Sequence, residues 1–387
     1  MESPRKSTRK IAAPRARAVA PARAKAVAAR VVELTPAARP RVPDVAREAG
    51  VSTATVDRVL NRRPGVRTAT VQRVLKAAAK LDYLPDAGLV AAHAARGGAV
   101  RAPRPMRLMF LLPAGTNRFL NMLGDTVGYT REHLAPYNVR CQVELIESFN
   151  PEVLAASLLR LGRRADGIAC MALEHPQVRE AVSRLADAGV PVVTLISDLS
   201  NSRRAAYIGL DNRAAGRTAG YLLGRFIGSR AKPAKVAMIA GSLSYRAHGE
   251  REMGFLHLFQ EMFPQMQVVG LREGHDDAQR NYEQTRALLE QHPDLAGIYN
   301  IGGASDGVAR ALKQAGRAQQ VVFIGHGLSP DTRALLIDGT MDAVINQNPQ
   351  AAVLSCVRIF TNLRDKRDAL AGVEAVRSTV VLRENLP

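Results

Sequence analysis

The side chains best suited to recognising another molecule lie together near the front of the chain, at Thr53, Ala54, Asp57 and Arg58. The guanidinium of Arg58 presents a fork of N–H donors that matches O6 and N7 of guanine in the DNA major groove. The short side chains of Thr53 and Ala54 can contact a thymine methyl group but cannot make a bidentate bond. The carboxylate of Asp57 is repelled by phosphate unless it accepts from a cytosine amine. The chemistry that this set allows is base reading in DNA.

Two short predicted helices must position these side chains. Within residues 42–60, VPDVAREAGVSTATVDRVL, apolar residues recur at helical spacing on either side of Gly50. Glycine suits the end of the first helix because it reaches a positive φ easily, and Ser52 can accept a bond at the start of the second. A third apolar-periodic helix from about Thr68 to Leu81 can close the core. The pattern predicts a helix-turn-helix; the alternative is an ordinary helical pair on which Arg58 is merely solvated.

This segment resembles the DNA-binding domain of the lactose-repressor (LacI/GalR) family of bacterial regulators. The resemblance rests on DVAREAGVSTATVDRVLN, the loop NRRPGVR, the third helix and the Tyr-x-Pro from Tyr83 to Pro85. It implies a helix-turn-helix DNA-binding domain over residues 42–85 whose second helix enters the major groove, with Asn61, Thr55 and Thr70 holding phosphates. The DNA-binding residues that we predict are Ser52, Thr53, Ala54, Thr55, Asp57, Arg58, Asn61, Thr70 and Tyr83.

The charge of the chain is concentrated at its front. The formal net charge is +19, of which residues 1–41 carry +9 and residues 42–105 carry +6. An excess in this position points to a polyanion as partner, and DNA is the simplest one. Residues 1–41, rich in Ala, Arg, Pro and Lys, are predicted to be a disordered basic tail. The tail either adds non-specific phosphate contacts or has no role.

Neither a secretory signal nor a membrane span is expected. Arginine and lysine interrupt the apolar region that a signal peptide needs near the front of the chain. Elsewhere the sequence has no run of about 18 apolar residues. The cysteines, Cys141, Cys170 and Cys356, match no metal spacing and no disulfide framework, which fits a reducing cytoplasm.

Residues 86–105, DAGLVAAHAARGGAVRAPRP, combine a weak Ala-rich helix with a Gly/Pro linker. The family resemblance implies here a hinge helix from which a Leu wedges into the DNA minor groove. That position falls on Ala92 in this chain, with Leu89 nearly a turn earlier. Because alanine is too short to unstack a base step well, the sequence does not favour a sharply kinked operator. The alternative is a plain flexible linker.

From Met106 the pattern changes to apolar, strand-like runs that alternate with amphipathic helical stretches. The strand-like runs are RLMFLL, RCQVELI, DGIACMA, PVVTLI, KVAMIAG, LAGIYNI and VVFIG. Such alternation predicts βαβ units and parallel sheets that helices cover on both faces. In the helical stretch after Asp211, the glycines Gly216, Gly220 and Gly224 recur at helical spacing, which favours close helix packing.

This region resembles the sugar-binding, periplasmic-binding-protein-like core of the same family. The resemblance implies two α/β subdomains with a ligand in the cleft between them. The first would run from about 106 to 206 and be rejoined near the C-terminus, and the second from about 207 to 338. The predicted fold class is therefore α/β, with an N-terminal all-α helix-turn-helix domain followed by a two-subdomain core with parallel sheets.

Polar side chains follow several of the predicted strands, where ligands of open α/β sheets bind. Asn117 and Phe119 combine an amide with an aromatic plane, which suits a sugar, and Arg251 matches the arginine that grips ligand hydroxyls in the family. The family often has Asp beside the positions of Asn300 and His326, and this chain does not. The departure does not favour an ordinary hexose or pentose mode, whereas it is compatible with a neutral polyol. The effector-binding residues that we predict are Asn117, Phe119, Ser197, Asp198, Arg251, Asn300, His326 and Gln347.

Each of these residues also has a structural alternative. Asn117 could simply cap a helix, His326 could be a core histidine, and Arg251 could pair with a neighbouring carboxylate. Catalysis is not indicated, since no motif supplies a base beside Cys170 and the pair at 276 and 277 has the pattern of a turn. No phosphate-cradling glycine loop is present, so no nucleotide cofactor is predicted.

The sequence as a whole predicts a cytoplasmic, DNA-binding transcriptional repressor. Two copies would pair as a homodimer on a pseudo-palindromic operator, and a sugar or polyol effector in the cleft would control the affinity for that operator. The alternative is a solute-binding protein of a transport or sensing system with a non-specific basic N-terminus. Such a protein would leave the motifs of residues 42–85 without a role.

Overall fold

A computed structural model describes residues 41–60, 65–81, 104–130, 134, 138–228 and 233–387 of the chain. The predictions for the basic tail before residue 41, for Asn61 and Tyr83, and for the hinge positions Leu89 and Ala92 lie outside these ranges. Within them, no helix combines the length and the apolar composition that crossing a bilayer would require.

The front of the chain forms the expected helix-turn-helix and a third helix. The helices are α1 (Val42–Ala49), α2 (Thr53–Leu60) and α3 (Thr68–Lys80). Gly50 between the first two adopts the left-handed conformation, with φ 64° and ψ 43°. The Thr55 N–H donates to Ser52 Oγ at 3.2 Å, which gives α2 the cap expected from the sequence. Apolar side chains of all three helices pack into one buried core around Val56, so the predicted architecture of this domain is confirmed.

The first subdomain is built on one parallel sheet. Its elements are β1 (Met106–Pro113), α4 (Arg118–Tyr129), β2 (Val139–Ile146), α5 (Pro151–Gly162), β3 (Gly167–Cys170), α6 (Pro176–Asp187), β4 (Val192–Leu195) and β5 (Ala206–Ile208). The strand order is β2-β1-β3-β4-β5, and all of these pairs are parallel. Strand β3 is buried along its length and β1 at every position except Arg107, which is why the sequence shows both as apolar runs.

The second subdomain has a larger sheet. Its elements are α7 (Asn212–Ile227), β6 (Lys235–Ala240), α8 (Arg246–Met262), β7 (Gln267–Glu273), α9 (Ala278–Gln291), β8 (Leu295–Asn300), α10 (Ser305–Gln314), β9 (Val322–His326), α11 (Pro330–Ile337), β10 (Ala343–Asn346) and β11 (Thr379–Val381). The strand order is β11-β10-β9-β8-β6-β7, with β11 antiparallel to β10. The parallel sheets predicted for the core are confirmed. The edge strand β11 runs antiparallel because it enters the sheet after the chain has returned through the first subdomain, and not through a βαβ crossover from β10.

Helix α12 (Pro349–Arg364) carries the chain back into the first subdomain. Its buried face, which includes Cys356 and Phe360, belongs to the hydrophobic core of the first sheet. The Phe360 ring lies over Gly167, where an added Cβ would be 2.6 Å from the ring. The chain therefore crosses between subdomains before α7, before α12 and again before β11, and the second sheet extends through β10, beyond the boundary expected near Asp338.

Helices α7 and α8 approach each other closely enough for backbone contact. A Cβ on Gly216 would lie 2.0 Å from the carbonyl oxygen of Arg251, and one on Gly254 would lie 2.1 Å from that of Arg213. Further along α7, an added Cβ on Gly224 would meet the ring of Phe263 at 2.3 Å. The close packing predicted from the glycine spacing is thus confirmed, and it fixes α8, the helix that carries Arg251.

Candidate functional site

The candidate DNA-reading face lies on the outer side of α2. Val56 and Val59 are buried against the other helices, whereas Thr53, Asp57 and Arg58 are exposed. Ala54 and Ser52 are exposed on the same short segment. The predicted base-reading side chains therefore stand together on the surface of a well-packed helix, in the arrangement that a major groove requires.

Two hydroxyls predicted to hold phosphates lie beside this face. Thr55 Oγ1 is 2.9 Å from Ser52 Oγ, so this hydroxyl also supports the start of α2. Thr70 is partly exposed in the first turn of α3. Lys80 Nζ lies 2.6 Å from Glu48 Oε1, which joins the end of α3 to α1. The three helices thus present these side chains from one small, internally connected unit.

A cavity of about 40 Å³ lies between the two subdomains of the core. The predicted residues Asn117, Phe119, Arg251, His326 and Gln347 all contribute to its wall. The remaining lining residues are Leu120, Met171, Ile196, Ala247, His248, Asp276, Gly302, Gly303 and Gly327. Polar residues from both subdomains therefore converge on one small space at the carboxyl ends of the strands, the position at which ligands bind in open α/β sheets.

Arg251 is the cationic group of the cavity. Its side chain is 5% exposed, and its Nε donates to Asn212 Oδ1 at 2.8 Å while Nη1 donates to the carbonyl oxygen of Ile301 at 2.8 Å. These bonds join α7, α8 and the end of β8. Burial lowers the pKa of the guanidinium from its usual value, but arginine remains a cation at neutral pH. These hydrogen bonds lead from Arg251 to Asn212 and Ile301, not to an adjacent glutamate as in the alternative that the sequence left open.

Asp276 supplies the opposite charge. Its Oδ1 accepts from the Gly303 N–H at 2.7 Å and its Oδ2 accepts from Asn117 Nδ2 at 2.9 Å. The Thr116 hydroxyl donates to the backbone carbonyl of Asp276 at 2.9 Å. Thr116 and Asn117 belong to the first subdomain, whereas Asp276 and Gly303 belong to the second. Asp276 therefore holds the two subdomains together across the cleft.

Asp276 was missed by the sequence analysis, which treated residues 276 and 277 only as a turn. That interpretation is partly right, because Asp276 has a φ of 53° and the Asp277 carboxylate caps α9 by accepting from the Arg280 N–H. The preceding strand, β7, is half-buried and carries no apolar run that would mark its carboxyl end. The sequence signal that could have identified Asp276 is its position as an acidic residue directly before Asp277, the cap of α9. The end of β7 at this point cannot be recognised from the hydropathy pattern.

Asn117 both caps a helix and reaches the cavity. Its Oδ1 accepts from the N–H groups of Phe119 and Leu120 at the start of α4, at 3.1 and 3.3 Å. The amide nitrogen on the other side of the same group bonds to Asp276. The cap and the site were alternatives in the sequence; in the structure one amide performs both roles.

His326 and Gln347 each have a buried polar atom without a hydrogen-bond partner among the described residues. His326 Nε2 lies 2.7 Å from the hydroxyl of the fully buried Tyr299, while its Nδ1 has no hydrogen-bond partner among the described residues. Gln347 is 5% exposed, and its Oε1 is likewise buried without a partner in that part of the chain. Burial and the nearby Arg251 lower the pKa of His326 well below its usual value, so the ring is neutral at physiological pH.

A second histidine, His248, lies in the wall and was not predicted. Its Nδ1 is 3.2 Å from the Ser242 nitrogen and 2.9 Å from the Ser242 carbonyl oxygen. Burial lowers the pKa of this imidazole to about 4, against the partial compensation of the Asp276 carboxylate. His248 is therefore a second neutral ring beside the buried charges of Arg251 and Asp276.

Three predicted effector-binding residues lie outside the cavity wall. Asp198 accepts from Arg204 Nη2 and from the Thr194 hydroxyl, both at 2.6 Å. Burial alone would raise the pKa of Asp198, but Arg204 and Thr194 outweigh it and hold that pKa below its usual value. A carboxylate so engaged is a structural group of the first subdomain.

Ser197 and Asn300 are the other two. Ser197 Oγ accepts from the Ala247 N–H at 3.4 Å, across the subdomain boundary. Asn300 Nδ2 donates to the Gly303 carbonyl oxygen at 2.8 Å and to Ser305 Oγ at 3.0 Å, so it shapes the loop after β8. Both side chains are completely buried and act behind the wall. Position at a strand end did not distinguish a side chain that points into the cleft from one that folds back onto its own loop.

Comparisons with known proteins match both parts of the chain. Residues 42–86 match the model of bacterial regulatory proteins of the lacI family, and residues 114–368 match a periplasmic binding protein domain. The Ribose import binding protein RbsB of Salmonella typhimurium is 28% identical over 175 residues, 44% of this chain and 56% of that protein. A D-ribose/D-allose-binding protein of Pseudomonas aeruginosa is 24% identical over 262 residues, 63% of this chain and 78% of that protein. The chain thus spans about half the length of the first of these relatives.

Solved structures show the same core fold. The glucose-galactose binding protein GanP of Geobacillus stearothermophilus superposes with a TM-score of 0.65 at 24% identity, over 74% of this chain and 100% of that one. At this identity the likeness establishes the fold of residues beyond the linker and no more. With a lacI-type domain in front of a periplasmic-binding-protein core that spans most of its length, the chain belongs to the LacI/GalR family of transcriptional regulators.

Proposed function

We propose that this regulator is a cytoplasmic repressor whose affinity for its operator is controlled by a small sugar-like or polyol effector in the cleft. The observation that carries the proposal is the combination, in one chain, of an exposed reading face on α2 with a polar cavity between two subdomains. A solute-binding protein of a transport system would have no use for the reading face. The similarity of the core to a ribose import binding protein and to a D-ribose/D-allose-binding protein supports a sugar-like ligand.

On the DNA side, two copies of the chain would present two α2 helices about 34–36 Å apart, one turn of the double helix. This spacing predicts a pseudo-palindromic operator. Arg58 is the residue that we assign to a guanine, because its fork of donors fits O6 and N7 and its side chain is exposed beside Asp57. Thr53 and Ala54 would add contacts with thymine methyl groups.

On the effector side, control requires a ligand that binds one arrangement of the subdomains better than the other. The cavity meets that requirement, since its wall combines Phe119 and Asn117 from the first subdomain with Arg251 and Gln347 from beyond the cleft. A ligand that touches both sides stabilises the closed arrangement, in which Asn117 also bonds to Asp276. Closure would reorient the first subdomain, the part of the core that is joined to the DNA-binding domain.

The direct test is selection of fragments from the source genome by the purified full-length protein, with binding measured over a range of salt concentrations. A regulator recovers a pseudo-palindromic sequence, and its specific affinity falls with salt while its selectivity persists. Binding without sequence preference that rises steeply at low salt would refute the proposal. That result would indicate a ligand-binding protein whose basic N-terminal part contacts polyanions without sequence preference.

The variant Arg58→Ala sharpens this test. Loss of one bidentate base contact should weaken operator binding by about 1–3 kcal/mol and relax specificity at one base pair. Arg163→Ala is a matched control, because it removes the same charge from an exposed position at the end of α5 in the core. If Arg58→Ala still discriminates the operator from random DNA as well as Arg163→Ala does, the assignment of Arg58 is wrong.

A further inference from the structure

Four exposed arginines lie at the amino ends of strands in the first sheet, at the edge opposite the effector cavity. Arg104 precedes β1 and Arg107 is its second residue, while Arg140 is the second residue of β2. The fourth, Arg203, precedes β5. Arg104 and Arg203 line one cavity of about 690 Å³, so this edge of the sheet is a continuous surface. We call the four residues the basal arginines.

The stability of the fold does not explain this arrangement. Arg107 and Arg140 are partners in the register of β1 and β2, so their side chains lie on the same face of the sheet. Their like charges repel each other across strands about 5 Å apart. A helix macrodipole attracts cations to the last turn of a helix, but the basal arginines belong to strands and to the loops before them. A partner with negative charge accounts for them better.

Two carboxylates compensate the charge of the basal arginines only in part. Asp166 Oδ1 lies 2.7 Å from Arg104 Nη2, and Asp166 Oδ2 lies 3.6 Å from Arg107 Nε. The basal arginine before β5 pairs with Asp187. Arg140 has no ion pair among the described residues. The three paired arginines are 45–66% exposed, so their ion pairs are solvated, weak and free to exchange for another anion.

The basal arginines also lie where the chain arrives from the DNA-binding domain. Residues 86–103 join that domain to Arg104. These 18 residues can span at most about 60 Å, which is short enough for the domain and the basal arginines to contact one DNA duplex. The effector cavity lies at the other end of the strands, so a duplex at the basal edge leaves it uncovered.

We propose that the basal arginines contact the phosphate backbone of the bound DNA, so that the core itself adds to the affinity for DNA. This inference rests on the proposed function and gives it a second DNA-contacting surface. The fork of a guanidinium matches phosphate oxygens with two parallel N–H···O bonds. Contacts with phosphates carry no sequence information, so the basal arginines strengthen binding to operator and random DNA alike, and α2 retains the base reading.

The test is the salt dependence of operator binding by the full-length protein. Each phosphate contact contributes about 0.9 to the slope of log affinity against log salt, and a homodimer makes each contact twice. Arg140→Gln, which breaks no ion pair among the described residues, should therefore lower the slope by about 1.8. Combining it with Arg107→Gln should lower the slope by about 3.6. Arg140→Lys keeps the charge and should keep the parent slope.

Two further readouts separate a DNA contact from a structural role. Discrimination between operator and random DNA should be the same in all of these variants and in the parent, because only phosphate contacts are lost. The Tm of Arg140→Gln should not fall, since the substitution relieves a repulsion between like charges. A reduced slope together with a reduced Tm and lost discrimination would mean that the fold had been damaged, and would overturn the assignment.

Arg225→Gln is the matched control. It removes the same charge from an exposed position on α7 in the second subdomain, and it should keep the parent slope. Parent-like slopes for Arg140→Gln and for the double variant, in protein that still selects its operator, would overturn this inference alone. An equal fall for Arg225→Gln would overturn it too, because the effect would then follow net charge. Failure of the parent to select any operator would instead refute the proposed function, and this inference with it.

Discussion

Replacing Gly216 by alanine would disturb the effector site from outside it. The new Cβ would lie 2.0 Å from the carbonyl oxygen of Arg251, a backbone atom that cannot rotate away. Real contacts of this kind need at least about 3 Å, so α7 and α8 must separate by about 1 Å. Arg251 Nε reaches Asn212 Oδ1 on α7 at 2.8 Å, and the same displacement would stretch this bond to about 3.8 Å, beyond hydrogen-bonding distance.

The expected loss of stability follows from these contacts. Overpacking costs about 1–3 kcal/mol, and weakening a charge-assisted hydrogen bond adds about 1.5–3 kcal/mol. Alanine in place of glycine returns about 1 kcal/mol in helix propensity. The net destabilisation is about 3 kcal/mol, which corresponds to a fall in Tm of roughly 6–12 °C for a domain of this size class. The response of operator binding to effector should be lost as well, because Arg251 no longer holds its place in the wall.

Gly249→Ala provides the control for Gly216→Ala. Gly249 lies on α8, two positions before Arg251, and an added Cβ there meets nothing within 4 Å. This variant should keep its effector response and gain up to about 1 kcal/mol from helix propensity. Thermal unfolding and an operator-binding assay with and without effector compare the two proteins. A Gly216→Ala protein as stable and as responsive as Gly249→Ala would refute the close approach of the two helices.

Other perturbations have equally direct outcomes. Arg251→Ala should leave operator selection in place and abolish the effector response in a binding assay; loss of DNA binding with a normal response would contradict that role. Because burial lowers the pKa of His248 to about 4 from a usual 6.5, only the unfolded chain takes up this proton as the pH falls below 6.5. Stability should therefore be complete above pH 6.5, and loss of the His248 contribution should lower it by up to about 3 kcal/mol towards pH 4. His248→Asn should remove this part of the decline measured by denaturant unfolding and leave the part that His326 contributes. Ser52→Ala removes the acceptor of the Thr55 N–H and should destabilise α2 by about 1 kcal/mol, seen as faster amide exchange in α2; Ser52→Asn, which can still cap the helix, should exchange like the parent.

Most of the fold could be predicted from the sequence because the relevant patterns are local. Gly50 marks a helix end through its backbone conformation, Ser52 marks a helix start through its hydroxyl, and the buried central strands are recognisable as apolar runs. The strands that were missed, β5, β7, β10 and β11, are short or lie at or near sheet edges, where partial exposure or brevity removes the apolar run. The antiparallel strand β11 joins the second sheet only after the chain has passed through the first subdomain as α12, and no local sequence pattern predicts that path.

Only part of the site could be predicted from the sequence, because the direction in which a side chain points depends on the tertiary structure. Asn117, Phe119 and His326 were found since each follows a strand that the sequence reveals, and Arg251 since it matches the arginine of the family. Gln347 was predicted although β10, the strand before it, was not. Ser197, Asp198 and Asn300 share that position, yet each hydrogen-bonds to other protein groups behind the wall. Asp198 and Asn300 bond within their own subdomains, and Ser197 bonds across the boundary to the Ala247 N–H. Asp276 lies in the loop after β7 and His248 in the first turn of α8, and only the assembled cleft shows that they meet the others. Periodicity identifies strand ends, whereas the partners of a polar group decide whether it is free for a ligand.

The return of α12 to the first subdomain sets the order in which the protein can be completed during synthesis. The strands β1 to β5 have all been made by Ile208, but the helix that fills their core with Phe360 begins only at Pro349. At about 5–20 residues per second, a ribosome needs roughly 7–28 s to make the intervening segment. During that interval an apolar face of the first sheet is not yet covered by α12. All core residues of the N-terminal helical domain, by contrast, have already been synthesised. The nascent chain therefore acquires its reading face well before the part that will regulate it.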